Sequence, residues 1–464
     1  MNGLKRQYGL LTAICMVVGI VVGSGVFFKA EAMLNITKGD LPTALISWLI
    51  GGIVMVISAY TFAVMGTQFE KVNGVVDYSE ALVGKGYAYH VGWFMSTIYY
   101  PAMTSALAWL SARYTMQLFG FDLTSAETMT LAAFYLIASY ALNTLSSKLA
   151  GKFQVSTTFI KLIPLALMAI VGTIYGLKNG VTMTNMNSVV NDAGEMVARN
   201  GISFDLILPG VCTSVFAYEG WVIATSINSE LKDSKKNLPR ALVLGTIIVV
   251  VVYMLYYLGI SGSISTAELL GSDEGAGFAF KQMFGNIAGT ILTVFIAISC
   301  LGTLNGLTLA CDRGFYSLAA RNQGPAPKYL NKLDSATQMP SNASIVALVF
   351  NVAWLFYFFM ANLSEAAGSA TGFAANFLFD STELPLICVY AFYLPIYVML
   401  MVKCKDLNPF KRFVMPVLSF AGACLFIYAA IAKHGMKNVG FLIVAAVIMI
   451  IGACFYKKSA DKKA

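Results

Sequence analysis

Twelve long apolar stretches run through most of the chain, separated by short polar connectors. They cover residues 8–28, 41–69, 86–112, 128–147, 153–177, 206–229, 241–267, 282–311, 340–364, 384–402, 413–432 and 438–456. Most exceed the roughly 20 residues that a helix needs to cross a hydrocarbon core about 30 Å thick. Each therefore reads as a membrane-spanning helix. The first is too long for a cleaved signal peptide and has no small-x-small cleavage site. Residues 366–379 are apolar but short and rich in Ala, Gly and Phe, and read as an outer loop or a short interfacial helix.

Two of these stretches are broken near their centres, by Gly23-Ser24-Gly25 in the first and by Tyr218-Glu219-Gly220 in the sixth. A helix in lipid satisfies its own backbone, so unwinding it frees groups at several kcal/mol each, roughly, unless something replaces the lost bonds. Such breaks persist where they line a cavity. An offset of five spans is odd, so the second unit is inverted relative to the first. Paired breaks at corresponding positions of two halves point to the binding site of an inverted-repeat transporter. The expected fold is an all-α integral membrane protein of 12 transmembrane helices, a 5+5 inverted repeat with helices 1 and 6 unwound. Its parts are a first repeat over 8–177, a second over 206–402, helices 11 and 12 over 413–456, and cytoplasmic termini at 1–7 and 457–464.

Composition agrees with this class. Hydrophobic residues make up 58% of the chain and charged residues 12%, against about 25% charged in soluble domains. The net charge of +8 would fit nucleic acid, but its distribution argues otherwise. With the N-terminus inside, most of the basic residues fall in cytoplasmic segments, among them Lys5, Arg6, Lys232, Lys235, Lys236, Arg240, Arg313, Arg321, Lys328, Lys332, Lys403, Lys405, Lys411 and Arg412. That bias sets both termini on the cytoplasmic side of a cell (inner) membrane. Lys433 and Lys437, in the last outer loop, run against it. The eight cysteines lie in or beside apolar segments without a C-x-x-C, and read as small buried hydrophobes, not as a metal or disulfide framework.

The breaks carry complementary chemistry. The half-helix after the first break points its N-terminal N–H groups into the cavity, which favours an anion such as an α-carboxylate. The half-helix ending near Tyr218 presents free carbonyls suited to an ammonium group. An α-amino acid carries both charges a few ångströms apart. Gly23 and Gly25 could instead serve close helix packing; the matching second break favours the binding site.

These residues support a family resemblance. GIVVGSGVFF (19–28) resembles the first-span motif of the amino acid–polyamine–organocation transporters. VFAYEGW (215–221) resembles the sixth-span signature of their L-type amino acid transporter branch. SELKDSKKNLPRA (229–241), DRGFYSLAARNQGPAP (312–327) and NPFKRF (408–413) resemble loops of the same family. The pattern is most similar to bacterial serine/threonine, or small neutral amino acid, exchangers. The resemblance implies that Gly23, Ser24 and Gly25 bind the substrate carboxylate and that carbonyls of Val21, Phe216 and Glu219 bind the amine. It also implies that Phe216 gates the site, with Ala217, Tyr218 and Gly220 as pocket neighbours. Departures occur at Ser229, Ser234 and Val222, and Val222 weakens transfer of a large-neutral preference.

Lys161 sits about eight residues into span 5, roughly 12 Å deep at 1.5 Å per residue. A lysine at mid-helix costs roughly 2.5–3.5 kcal/mol on insertion scales, so a partner or water path is expected. In the family it resembles, a lysine here stands where sodium sits in sodium-coupled relatives, implying sodium-independent transport. Snorkelling, proton coupling and a structural role remain open. Glu219 has two readings, a carboxylate facing a wet cavity or a residue acting through its carbonyl alone. Asn305 either lines the core or bonds helix to helix. Asp380 and Glu383 have capping-box spacing for helix 10, Arg113 reads as an interface anchor, and Tyr99, Tyr100 and Pro101 mark an irregularity in span 3.

Other classes fit poorly. Only two histidines occur, His90 at an inner helix end and His434 in an outer loop, with no H-E-x-x-H and no buried carboxylate pair, so an enzyme is not expected. A channel would want a ring-lined pore. A polyamine carrier would want acidic walls, and only Glu219 is well placed. The reading is a secondary transporter that exchanges small neutral L-amino acids by alternating access, with proton symport as the alternative and a polyamine transporter or non-transporting receptor behind it. No cofactor, no metal, no nucleic acid and no obligatory disulfide-linked subunit are expected; the partners are the substrate and the bilayer.

Overall fold

The computed structural model describes residues 9–461 apart from 24, 70–73, 122, 124, 225–230, 273–275, 336, 338 and 365–370. The described chain is almost wholly helical. The first apolar stretch forms two helices, α1 (Leu10–Val21) and α2 (Gly25–Ile36), followed by α3 (Leu41–Gln68) and α4 (Val75–Leu82). Next, α5 (Lys85–Phe94) passes through a π turn at Met95–Tyr99 into α6 (Tyr100–Leu118). After α7 (Ala126–Leu145), α8 (Ser147–Leu167) passes through a second π turn at Met168–Gly172 into α9 (Thr173–Lys178). A connector holds α10 (Val181–Met186) and an antiparallel hairpin, β1 (Ser188–Val190) with β2 (Met196–Ala198), in which Val189 faces Val197. The sixth stretch is again two helices, α11 (Phe204–Tyr218) and α12 (Trp221–Ala224). Then come α13 (Ser234–Ser261), α14 (Thr266–Leu270), α15 (Ala276–Phe284), α16 (Asn286–Ala320), α17 (Pro327–Leu330) and α18 (Ser341–Asn362). A 3-10 turn at Gly372–Phe377 precedes α19 (Leu384–Lys403), α20 (Met415–His434) and α21 (Lys437–Asp461).

Among the described residues, nine helical stretches are long and apolar enough to cross a membrane. Of the other three expected spans, 8–28 leaves the helix at 22–23 and 206–229 at 219–220, while 86–112 is helical throughout with a π turn at Met95–Tyr99. The π turn has a local cause. Pro101 has no N–H, so Thr97 loses the donor that its carbonyl would meet one turn on. Trp354 Nε1 replaces it, donating to Thr97 O at 2.9 Å.

Several expectations change. α13 begins at Ser234, seven residues before 241, and stops at Ser261, because a charge-free run marks the apolar layer and not the end of a helix. α16 runs on to Ala320 and takes Asp312 and Arg313 into the helix. The capping-box reading of Asp380 and Glu383 holds for Asp380, whose carbonyl accepts from Leu384 N–H at 3.3 Å where α19 begins, while Glu383 also meets a second helix. Asp380 Oδ1 closes a short turn by accepting from Thr382 N and Oγ1, each at 2.6 Å. Glu383 Oε2 lies 3.0 Å from His434 Nε2, so His434 is a half-buried helix-end partner and not a loop residue. Lys433, one of the two residues that run against the charge bias, donates to Thr213 Oγ1 of α11 at 2.8 Å. Arg113 stacks over Trp109 and Tyr114.

The chain divides into two units. The first comprises Met1–Val75, Phe159–Ile296 and Tyr393–Lys433. Here α13 packs on α1, α3 and the second π turn, and α11 packs on α2 and α3. The turn and α13 approach so closely that a Cβ at Gly259 would overlap Met168 O, a small-residue crossing suited to lipid. Buried Trp48 holds the rings of Tyr218 and Tyr253 at 5.5 and 6.1 Å. Asp40 caps α3 through Thr43 and accepts from Ser203 Oγ at 2.9 Å. The second unit comprises Val76–Thr158, Ala297–Phe392 and His434–Ala464. There α6 packs on α7 and α18, and α21 packs on α5 through Tyr89 Oη to Gly452 O and Trp93 Nε1 to Ile448 O.

Candidate functional site

Both helix breaks lie in the first unit, and they face each other. A Cβ built on Gly25, the first residue of α2, would stand 3.0 Å from Ala217 Cα and 3.3 Å from both Phe216 O and Phe216 Cδ1. A side chain here would press on the backbone of α11, so glycine eases the approach of the start of α2 to the end of α11. At the second break, Glu219 is extended (φ −74°, ψ 162°) and Gly220 has φ +106°, a region that side chains other than hydrogen rarely enter. Helix then resumes at Trp221, whose fully buried ring packs on Phe62 at 5.1 Å. The break therefore falls at the residues that its glycine and charge marked in the sequence.

The backbone of the first break is served from two neighbouring helices. Val22 N–H still reaches Val18 O at 2.8 Å, but the next carbonyls lose the donors of the missing turn. Lys161 Nζ, from α8 and only 3% exposed, donates to Gly19 O at 2.7 Å. Tyr253 Oη, from α13, donates to Val21 O at 3.1 Å. A cation at the carbonyl end of α1 also meets the negative end of the helix dipole. Lys161 thus reaches the first break and does not snorkel outward. Val21 O keeps a second lone pair beyond Tyr253.

On the opposite side, α2 begins at Gly25, and the N–H groups of its first turn have no partner within their own helix. Gly23 lies in the bend, while Ser24 lies outside the described residues. Phe216 is 8% exposed, with its ring edge-on to Phe28 at 6.2 Å. Its carbonyl accepts a long bond, 3.4 Å, from Glu219 N–H. Ala217 is buried at the closest approach to Gly25. Tyr218 turns into the core, donating to Trp48 O at 3.0 Å and stacking on Tyr253 at 5.4 Å, so its role is to brace the break.

Asn305 lies in the second unit within a helix-to-helix network. Its Nδ2 donates to Ala150 O at 3.3 Å and Gln154 Oε1 at 3.2 Å, and its Oδ1 accepts from Asn143 Nδ2 at 3.2 Å. Of its two readings, helix bonding describes it.

Two residues at the first break were missed in the sequence. Tyr253 sits in an otherwise ordinary apolar run and carries no local signal. Lys29 follows the first span and reads as a loop residue. Yet it lies one turn beyond Gly25 on α2, 2% exposed, with Nζ 5.3 Å from the Phe216 ring and 5.2 Å from the Phe28 ring.

A family model described as amino acid permease matches residues 8–454. The serine/threonine exchanger SteT of Bacillus subtilis (strain 168) is 28% identical over 430 residues, 91% of this chain and 90% of that protein. The human cystine/glutamate transporter is 25% identical over 431 residues, 92% of this chain and 80% of its own. The mouse b(0,+)-type amino acid transporter 1 is 27% identical over 376 residues, 77% of this chain and 74% of its own.

Proposed function

The chain belongs to the amino acid permease family, and from that membership we propose that it is a sodium-independent exchanger of small neutral L-amino acids working by alternating access in the cell (inner) membrane. The observation that carries this reading is the approach of Gly25 to Phe216 and Ala217, which sets a helix N-terminus against the carbonyl end of another helix. In this reading the N–H groups of the Gly23-Ser24-Gly25 break hold the substrate carboxylate, and carbonyls of Val21, Phe216 and Glu219 hold the amine. The Phe216 ring closes over the bound molecule. Twelve spans, cytoplasmic termini and a five-plus-five inverted repeat complete the proposal, the two broken helices and the α5–α6 helix supplying the spans beyond the nine.

Sodium independence is supported by Lys161, whose ammonium occupies Gly19 O at the first break. The small neutral preference is supported by a relative, matched over nine-tenths of both chains, that is a serine/threonine exchanger.

Reconstitution tests the reading. Proteoliposomes loaded with unlabelled serine or threonine are expected to take up labelled serine, threonine or alanine, and empty vesicles far less. Uptake is expected to persist when choline replaces sodium. Equal uptake into loaded and empty vesicles refutes exchange, and a sodium requirement refutes the role given to Lys161. A panel dominated by anionic or cationic amino acids refutes the substrate class.

A further inference from the structure

The second unit holds a carboxylate that the exchange reading does not use. Asp312, on α16, has no exposed surface, and neither of its oxygens makes a full hydrogen bond among the described residues, the Ser344 hydroxyl of α18 acting on it only weakly. The polar groups packed around it are uncharged apart from Arg313, its exposed neighbour in the chain. One residue earlier, Cys311 meets Thr104 Oγ1 of α6 at 3.4 Å and Asn351 Nδ2 of α18 at 3.5 Å. Asn351 Nδ2 in turn donates to Tyr140 Oη of α7 at 2.7 Å, while its own Oδ1 is also without a partner. One turn earlier, Thr308 is already bonded to Ser139 and Asn143.

The groups that act on Asp312 from each packed element are few. They are Tyr140 on α7, Ser344 on α18, and Cys311 and Arg313 on α16 itself. Arg313 is exposed and next in the chain. A bare carboxylate in such a place is not sustained, since buried charges are either paired or neutralised, and ionisable groups inside spans mark ion or proton paths.

We propose that Asp312 is a proton-binding site, loaded in the conformation seen here and exchanging its proton with water at the inner face during the transport cycle. The only bond made or broken is O–H; water at that face supplies the proton and receives it back. The inner face follows from the chain: α16 continues from Asp312 to Ala320 and then meets Arg321, whose guanidinium pairs with Asp77 at 2.5 Å. Asp312 thus lies about 12 Å from the end of its helix. The proposal rests on the transporter reading above. It adds that turnover depends on internal pH through one residue, because the conformation that buries Asp312 admits it only when protonated.

The test uses the full chain in proteoliposomes, with external pH fixed and internal pH varied, and in detergent for infrared difference spectroscopy. Wild-type counterflow is expected to fall as the inside is made alkaline, approaching about tenfold per pH unit, the limit for one titrating group. Asp312→Asn, close in shape and permanently neutral, is expected to give a rate that does not respond to internal pH. Asp312→Glu is expected to restore a response with a shifted midpoint. In the infrared, the wild type is expected to show a protonated carboxyl band that is lost at high pH and absent from Asp312→Asn. A flat wild-type profile, an unchanged profile in Asp312→Asn, or no such band overturns the proposal. If Asp312→Asn does not transport, the infrared titration decides. If the wild type shows no counterflow at all, the transporter reading fails, and the spectrum still decides whether Asp312 binds a proton.

Discussion

The ammonium of Lys161 lies 2.7 Å from the carbonyl oxygen of Gly19, four residues before the bend at Gly23. In an unbroken helix that oxygen would accept from the N–H of residue 23. The break removes the donor, and a buried side chain from α8 replaces it. The contact ties α1 to α8 with a charge-assisted bond, of the stronger kind among protein hydrogen bonds.

Lys161→Ala is therefore expected to leave Gly19 O unsatisfied, at a cost of about 1–3 kcal/mol for a buried polar group. Membrane insertion is expected to persist, while apparent affinity or turnover falls on one membrane side. A charge fixed in the protein carries nothing across, so wild-type exchange of neutral substrates is expected to ignore an imposed potential. Counterflow with valinomycin-clamped potentials of either sign checks this; a potential-dependent rate would mean that a net charge moves with the substrate.

Gly25→Val tests the close approach. The added Cβ meets Ala217 Cα at 3.0 Å and Phe216 O at 3.3 Å before its methyl groups are counted, and the contacts include backbone that cannot swing aside. The two breaks must part. Substrate affinity is expected to drop at least about tenfold, equivalent to about 1.4 kcal/mol, with expression and detergent extraction close to wild type. Binding measured on the purified variant separates this from misfolding. Folded Gly25→Val with normal affinity would place the substrate elsewhere.

The legible part of this molecule was the part written in glycine, charge and hydrophobic run. Gly220 and the stretch around Gly23 located both breaks, and the apolar runs located the nine membrane-length helical stretches. What was not legible depends on partners distant in sequence. Tyr253 serves Val21, Trp354 serves Thr97, and Glu383 serves His434, in each case from more than 50 positions away. No local pattern announces such bonds. The ends of α13 and α16 do not follow the apolar runs, because a charged residue does not by itself stop a helix. A charged residue at the edge of an apolar run can also be buried against neighbouring helices, as Asp312 is. Asp312 escaped notice for that reason, lying just past the last apolar residue of its run. The β1–β2 hairpin escaped because its strands are three residues each, and its signal is confined to the turn, where Asn191 Oδ1 accepts from Ala193 and Glu195 N–H.

Trp354 gives a prediction about the fold. Trp354→Phe keeps most of the ring but removes the Nε1–H that Thr97 O accepts. The orphaned carbonyl is expected to cost about 1–3 kcal/mol. Pro101→Ala restores a backbone N–H near the same oxygen, so the double variant is expected to recover part of the loss, a non-additive cycle. Thermal melts of the four proteins in one detergent give the coupling. Additive losses would mean that Thr97 O finds water instead.

Phe216 offers the sharpest test of the site itself. Its ring stands at the second break, edge-on to Phe28 and beneath the Lys29 ammonium, and the residue is 8% exposed. If it closes over the substrate, Phe216→Ala removes cover from the bound molecule and leaves the backbone cradle in place. Binding hot spots of this kind lose about 1–3 kcal/mol on truncation. Affinity is then expected to fall about tenfold, and discrimination among side chains is expected to narrow, since larger amino acids no longer meet the ring. Competition by a panel of unlabelled amino acids, each against labelled serine, reads both effects. Loss of affinity with unchanged rank order would make the ring a brace for the break and not a gate. Kinetics equal to wild type for every substrate would mean that the ring serves packing against α2 alone.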